Sequence, residues 1–513
     1  MRFFCTPFIV ALLLWIELLP QAAIAQATDT TKNVKIINAD VLIGQELDGA
    51  MVRTMKGQVM LENKDVFIEC DSAIHYLAYN FIKAFTNVHI VQQPCTHIFC
   101  DSLQFDGNKR TLLLWGNVIM QDDKMELQCF NLTYNLITRV GYYTEGGQLT
   151  QDGSVLTSER GYYYGKLSEV VFKGNVMLYN AKYNMTTDTL KYNMKSKIAY
   201  YRGPTTLQQQ QSSIYCERGY FDTQNNYALF GKHTYLKDGS NELYADTMQY
   251  DQQLGIGKAF KNVYWKDNEN KMSLRCFAGE YNERTGTIQA RRNALLSYVE
   301  NLDTLYVLAD TIVSKVIDSL TNKRDFKAYR NTNIYRTDFQ AIADSLYYTS
   351  TDSVFEMFGN PVVWADSTQL QADTIYLKIK NEKPAYVNLK NNAIVGLKHQ
   401  YENIYDQIKA QTIDAYFMNN KIHIITAHTE ASSIYYSKDD KGGYLGVNQS
   451  NADKMRFNFT AGELNKIQYY DKPKSIFYAM QNAQPSQFLL QNFEWKASIR
   501  PYSAVPYFKL PRQ

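Results

Sequence analysis

The sequence predicts an all-β protein: an elongated stack of antiparallel strands built from repeats of about 30 residues. Three observations carry this. Apolar residues alternate with period two over most of the chain, the signature of strands with a wet and a dry face. A local pattern recurs: Asp344 follows the small Ala343 and is followed by Leu346 and Tyr348 two and four positions on, and Asp373 repeats this with Ala372, Ile375 and Leu377. Self-similarity at such a period marks an architecture in which each unit contacts only its neighbours. A chain of 513 residues would ordinarily suggest about three domains, but an array grows without a larger core, so the length predicts elongation.

At the N-terminus Arg2 precedes an apolar run from Phe8 to Leu19, and Ala23, Ile24 and Ala25 offer a small-residue cleavage site before Gln26. Residues 1–25 are therefore a secretory signal peptide. The run is too short for a permanent span, and Cys5 precedes it, so a lipid-anchored N-terminus is not expected. With 54 basic against 51 acidic residues, the chain has no electrostatic reason to bind nucleic acid. Its 40 tyrosines suit strands that cover both faces of a sheet.

With Asp344 as slot zero, equivalents fall at Asp71, Asp101, Phe130, Arg160, Asp188, Glu217, Asp246, Phe277, Asp310, Asp373, Asp414 and Asp453. The first is out of phase, with Ile74 and Tyr76 one residue late. Residues before the slot alternate with the opposite phase from those after it, as Ile98 and Cys100 do against Leu103 and Phe105. A phase flip means that the strand turns a corner or bulges there. A carboxylate at such a corner accepts hydrogen bonds from groups the bend frees, so the Asp column reads as structural. About fifteen residues after most slots comes a second column, including Gly116-Asn117, Gly174-Asn175, Gly203-Pro204, Gly231-Lys232 and Gly359-Asn360. Gly and Asn tolerate positive φ, so each repeat is expected to be two legs separated by a corner and a turn. The pattern lapses over 314–325, expected to be an enlarged loop, and loosens after Ile404. The organisation expected is a repeat array over 26–403, then divergent repeats and a capping or docking tail over 404–513, which ends with Pro501, Pro506 and Pro511.

Cys70, Cys100, Cys129, Cys216 and Cys276 all stand immediately before a slot. They are either small buried filler or, for Cys70, Cys100 and Cys129, disulfide partners in an oxidising compartment. One strand per repeat would bring successive cysteines about 4.8 Å apart; two would put them about 9.6 Å apart, beyond the roughly 7 Å limit for a bridge. Cys95 lies outside the column. No metal site is expected: the seven histidines form no HExxH pattern, and the Cys95, His97, Cys100 group lacks a second pair. There is no G-x-S-x-G elbow, and Gly255 and Gly257 lack the third glycine of a dinucleotide loop. An acidic ladder could serve polysaccharide cleavage, but it is spread along the chain, whereas an active site needs one cluster. No enzyme activity and no cofactor are expected.

Repeats of the form A-D-[ST]-[LI]-x-Y followed by G-N-[VP] resemble the OstA-like family, which comprises periplasmic lipopolysaccharide-transport proteins and the soluble N-terminal part of the outer-membrane lipopolysaccharide-assembly protein. The long form of Bacteroidetes-type bacteria is similar at Gly359-Asn360-Pro361-Val362-Val363-Trp364, at Gln369 to Ile375, at Ser433 to Tyr436, and at Phe493-Glu494-Trp495 leading to Arg500-Pro501. The resemblance implies a V-shaped β-jelly-roll open along one side, whose apolar interior shields glycolipid acyl chains across the periplasm. It implies lipopolysaccharide or a related glycolipid as ligand, other transport proteins at the inner and outer membranes as partners, end-to-end self-association, and a periplasmic location with outer-membrane association. Two other readings stay open: an exported β-solenoid acting on polysaccharide, and a structural fibre. The aromatics four positions after the slot, Phe105, Tyr134, Tyr192, Tyr250 and Tyr348, share a phase with the apolar residues before them and form an inner column. They either contact lipid or pack on one another to close a core.

Overall fold

A computed structural model describes residues 34–502, apart from short stretches at 48, 65, 93–95, 123–124, 152, 180, 182, 301–302, 319–322, 381–382, 401–403, 419–420, 440 and 461–462. Residues 1–25, which the sequence reads as a signal peptide, Cys95 and residues 503–513 of the tail lie outside the described residues. What is described is 34 strands and four 3-10 turns, with no α-helix among the described residues. The chain divides into two compact units, Met1–Gly239 with Tyr244–Gly255, and Ser240–Leu243 with Ile256–Gln513.

Within each unit, strands adjacent in sequence pair antiparallel. In the first, Val66–Tyr76 pairs with Phe81–Gln92, which pairs with Thr96–Asp106, which pairs with Thr111–Asp122. In the second, the run Ile256–Asp267, Met272–Asn282, Thr287–Glu300, Asp303–Asp318 and Lys323–Arg336 pairs in the same way. Each repeat is thus two strands, as expected if chain reversals are short and local.

The phase flips are corners. Along Val66–Tyr76 burial falls on Val66, Ile68 and Cys70, then switches to Ala73 and His75; the pairing register shifts at this point, between Glu69 and Ser72. The switch moves the inward set to the other parity of the strand. No described helix covers either face, and the surface that buries both Ile68 and Phe105 almost completely is the other leg of the same bent sheet. Residues of both legs accordingly share one core cluster.

Two expectations are corrected here. The Gly-Asn column does not reverse the chain. Gly116 and Asn117 are successive left-handed residues, at φ 73° and 45°, and they form the corner of the neighbouring strand. From there Asn117 Nδ2 donates to Asp101 Oδ2 at 2.9 Å, as Asn87 does to Asp71 at 2.8 Å. In the repeat over 217–233 the left-handed pair is Lys232 and His233 rather than Gly231 and Lys232. Reversals lie elsewhere, for instance where Asp106 Oδ1 accepts from the backbone of Asn108 and Lys109. Nor are 314–318 and 323–325 loop: Asp303–Asp318 and Lys323–Arg336 pair through Lys315↔Asp325 to Asp318↔Lys323. These strands are simply longer, and their charged ends hide the alternation.

One slot is rephased and two move. At the first, the inward residues are Ala73 and His75, so it is in phase after all; the larger Ile74 and Tyr76 face outward and are half-buried. In the fourth the corner acid is Glu159, which accepts from Asn175 Nδ2, so the inward residues are Gly161 and Tyr163 while Tyr162 and Tyr164 stack outside. In the twelfth the register shifts between Lys409 and Thr412, placing Gln411 at the slot and burying Ile413 and Ala415.

Cys70 lies on Val66–Tyr76 and Cys100 on Thr96–Asp106, with Phe81–Gln92 between. Two strand spacings of about 4.8 Å exceed bridging distance, and all five cysteines of the column are free. Burial pushes the Cys100, Cys216 and Cys276 thiols up to about 12.

In the second unit the chain ends in a strap that crosses the outer face. Gln407 donates to Phe488 O at 3.0 Å and accepts from Leu490 N at 2.8 Å. Gln369 donates to Glu494 O at 2.8 Å and accepts from both Lys496 N and Trp364 Nε1 at 2.9 Å. Arg500 Nε donates to Gln340 Oε1 at 2.7 Å. Gln369 and Gln407 are fully buried, so these amides would be costly without the strap's backbone to bond.

Candidate lipid-facing interior

Inward positions of both legs form the apolar interior of each unit. In the first unit, one cluster runs from Val34 to Leu132 and a second from Leu149 to Cys216. Phe105 belongs to the first cluster and Tyr192 to the second, both with no exposed surface; Tyr250 is buried against Phe221 and Ala228. Tyr134 is half-buried and packs against the first cluster. In the second unit Tyr348 is half-buried between two aromatic partners, Phe326 at 5.2 Å and Phe355 at 4.5 Å between ring centroids. The five aromatics named from the sequence therefore all take inward positions, three wholly enclosed and two partly open.

Further inward aromatics escape the slot pattern. Tyr143 is buried, its hydroxyl 2.7 Å from Ser158 Oγ. Its ring lies over Gly147 and Gly161, where an added Cβ would stand 2.5 and 2.2 Å from ring carbons. Burial pushes the Tyr143 phenol up to about 12. Tyr201 likewise covers Gly219 and donates to Leu229 O at 2.8 Å. The sequence signal was the isolated glycine inside a strand, which marks close approach of another group; the partner tyrosine cannot be named from it.

The opposite phase is mixed, with exposed aromatics such as Phe99 and Tyr200 beside charged pairs. Lys191, next to inward Tyr192, pairs with Glu169 at 2.8 Å, and this hydrogen bond holds the Glu169 carboxyl below its ordinary range. Among the described residues no three His, Cys, Asp or Glu side chains are placed to hold a metal. No described helix is long and apolar enough to cross a membrane.

The class these features define is an antiparallel β-stack, bent in the manner of a β-jelly-roll, with an apolar interior. Residues 31–188 match the model of the OstA-like protein family. Among solved structures, the chain is similar to the crystal structure of LptH, the LptA homologous periplasmic component of the conserved lipopolysaccharide transport device from Pseudomonas aeruginosa. That match has 15% identity over 21% of this chain and 81% of that one, with a TM-score of 0.20, too low for the overlay to bear on function. No curated protein matches.

Proposed function

We propose that this protein is a periplasmic lipid-binding bridge that shields glycolipid acyl chains during lipopolysaccharide transport to the outer membrane. The observation that carries the reading is the inward column. Two bent legs enclose apolar and aromatic residues repeat after repeat, an arrangement that suits acyl chains. The OstA-like match over 31–188 supports it. In this reading the signal peptide exports the chain, its partners are glycolipid and transport proteins at the two membranes, and residues 404–513 cap or dock the array. The half-buried Tyr134 and Tyr348 are the entry points, and lipid reaches Phe105, Tyr192 and Tyr250 by parting the legs.

The test is a photo-crosslinking side chain placed at Tyr134, Tyr192, Tyr250 or Tyr348, with Lys191 and Gln249 as opposite-phase controls, after incubation with lipopolysaccharide and lipid mass spectrometry. Capture at the tyrosines and not at the controls is expected. Equal labelling at both phases, or none, would refute the inward column as a lipid path.

A further inference from the structure

In the second unit the corner at Phe277 is built differently from the corner at Asp101. At Asp101 the slot acid receives Asn117, sixteen residues later, and a glycine precedes that Asn because a Cβ on Gly116 would stand 2.3 Å from Asp101 Oδ2. On Met272–Asn282 the slot is Phe277, 40% exposed, and the glycine is replaced by Arg292, whose guanidinium lies 5.0 Å from the Phe277 ring centroid. Arg292 holds φ at 63°, and in the same column Lys261 and Arg330 hold 60°. Three successive repeats of this unit thus place a cation where glycine is the less strained choice, at spacings of about 9.6 Å.

The result is an open hollow of about 600 Å³ whose lining includes Phe260, Phe277, Arg291, Arg292, Asp310 and Arg330. The three arginines are exposed. Among the described residues neither they nor Lys261 enter an ion pair, and the one carboxylate, Asp310, is approached by Asn331 at 3.4 Å. Phe277 stands at the slot where an acid would have faced Arg292, which leaves Asp310 as the carboxylate of the hollow. Guanidinium groups converging on a partly apolar floor suit a phosphate dianion, which takes parallel N–H donors from each fork.

We propose that this hollow is an outward-facing binding site for phosphate, carried as a sugar phosphate monoester or free in solution, and independent of whether the inward column carries acyl chains. Inorganic phosphate and glucose 1-phosphate are titrated calorimetrically into the full-length protein and into Arg292→Gly/Arg330→Gly and Phe277→Asp. The glycines restore the residue other repeats use, so the melting temperature is expected to hold or rise while affinity falls by about tenfold or more, and wild-type binding is expected to weaken steeply with salt. Tighter binding of glucose 1-phosphate than of inorganic phosphate identifies a sugar phosphate using the Phe277 face; equal binding identifies phosphate alone. No binding of either probe to the wild type, or equal binding to a correctly folded double-glycine variant, overturns the proposal.

Discussion

The corners at Asp101 and Phe277 have the same backbone and opposite chemistry. At Asp101 the register shifts between Phe99 and Ser102, and a carboxylate, a glycine and an asparagine close the bend. At Phe277 the register shifts equally between Arg275 and Ala278, yet an aromatic ring and an arginine occupy the places of acid and glycine. The left-handed pair is kept in both, at Gly116 and Asn117 and at Arg292 and Asn293. The bend is therefore set by paired backbone corners on neighbouring strands, and the slot side chain tunes it. A position so released from the fold is free to be spent on binding.

The comparison breaks most sharply if the two corners can be exchanged. Gly116→Arg should destabilise by about 3 kcal/mol, since the new Cβ meets Asp101 Oδ2 and the residue takes a strained φ. Arg292→Gly should leave stability within about 1 kcal/mol. Calorimetric melting of the two variants checks this, and Gly116→Arg melting with the wild type would show that the glycine is not required. Adding Asp101→Ala to Gly116→Arg should recover part of the loss, because the two sites share one contact.

A second effect is common to both corners. Cys100 and Cys276 precede the two slots, and burial pushes both thiols up to about 12 from an ordinary 9.0. Since the folded pKa is raised, the stabilisation is complete below pH 9 and is lost as pH rises from 9 toward 12, where the unfolded thiol ionises and the folded one does not. At pH 10 the loss should be about 1 kcal/mol for each buried cysteine. Urea midpoints measured from pH 8 to 10 should fall less steeply in Cys100→Ala and Cys276→Ala than in the wild type; parallel slopes would show that these thiols ionise as readily folded as unfolded.

Much of this was legible in the sequence, because period-two alternation and its phase flip are direct images of a bent strand. Errors arose where side-chain size and burial disagree. Ile74 and Tyr76 outweigh Ala73 and His75 by eye, and Tyr162 and Tyr164 outweigh Gly161 and Tyr163, yet the smaller sets face inward because the interior leaves them little room: Tyr143, on the paired strand, fills the space over Gly161. The strap was hidden for a different reason. Gln340, Gln369 and Gln407 sit at outward positions, where glutamine reads as solvated surface; only the returning backbone of 488–500 makes them buried. The phosphate hollow left a trace, the run Lys261, Arg292, Arg330 in a glycine column, but its meaning depends on Phe277 standing beside Arg292, which spacing alone does not show.

The smallest expected effects concern the slot side chain itself. Asp101→Ala removes the acceptor of Asn117 Nδ2, a 2.9 Å bond at an exposed site, and should cost about 1 kcal/mol. Phe277→Asp runs the other way: it places a carboxylate sixteen residues before Asn293 and beside Arg292, recreating the Asp101 arrangement with a cation added. Against this stands the loss of the ring under the Arg292 guanidinium, worth about 0.5 to 1 kcal/mol at an exposed position. The two terms nearly cancel, so a net change within about 0.5 kcal/mol is expected, measured as the shift in the urea midpoint. A loss above 2 kcal/mol would mean that Phe277 is part of the core and not a surface substitution, and the corner at Phe277 would then be a different structure from the corner at Asp101, not the same bend with new side chains.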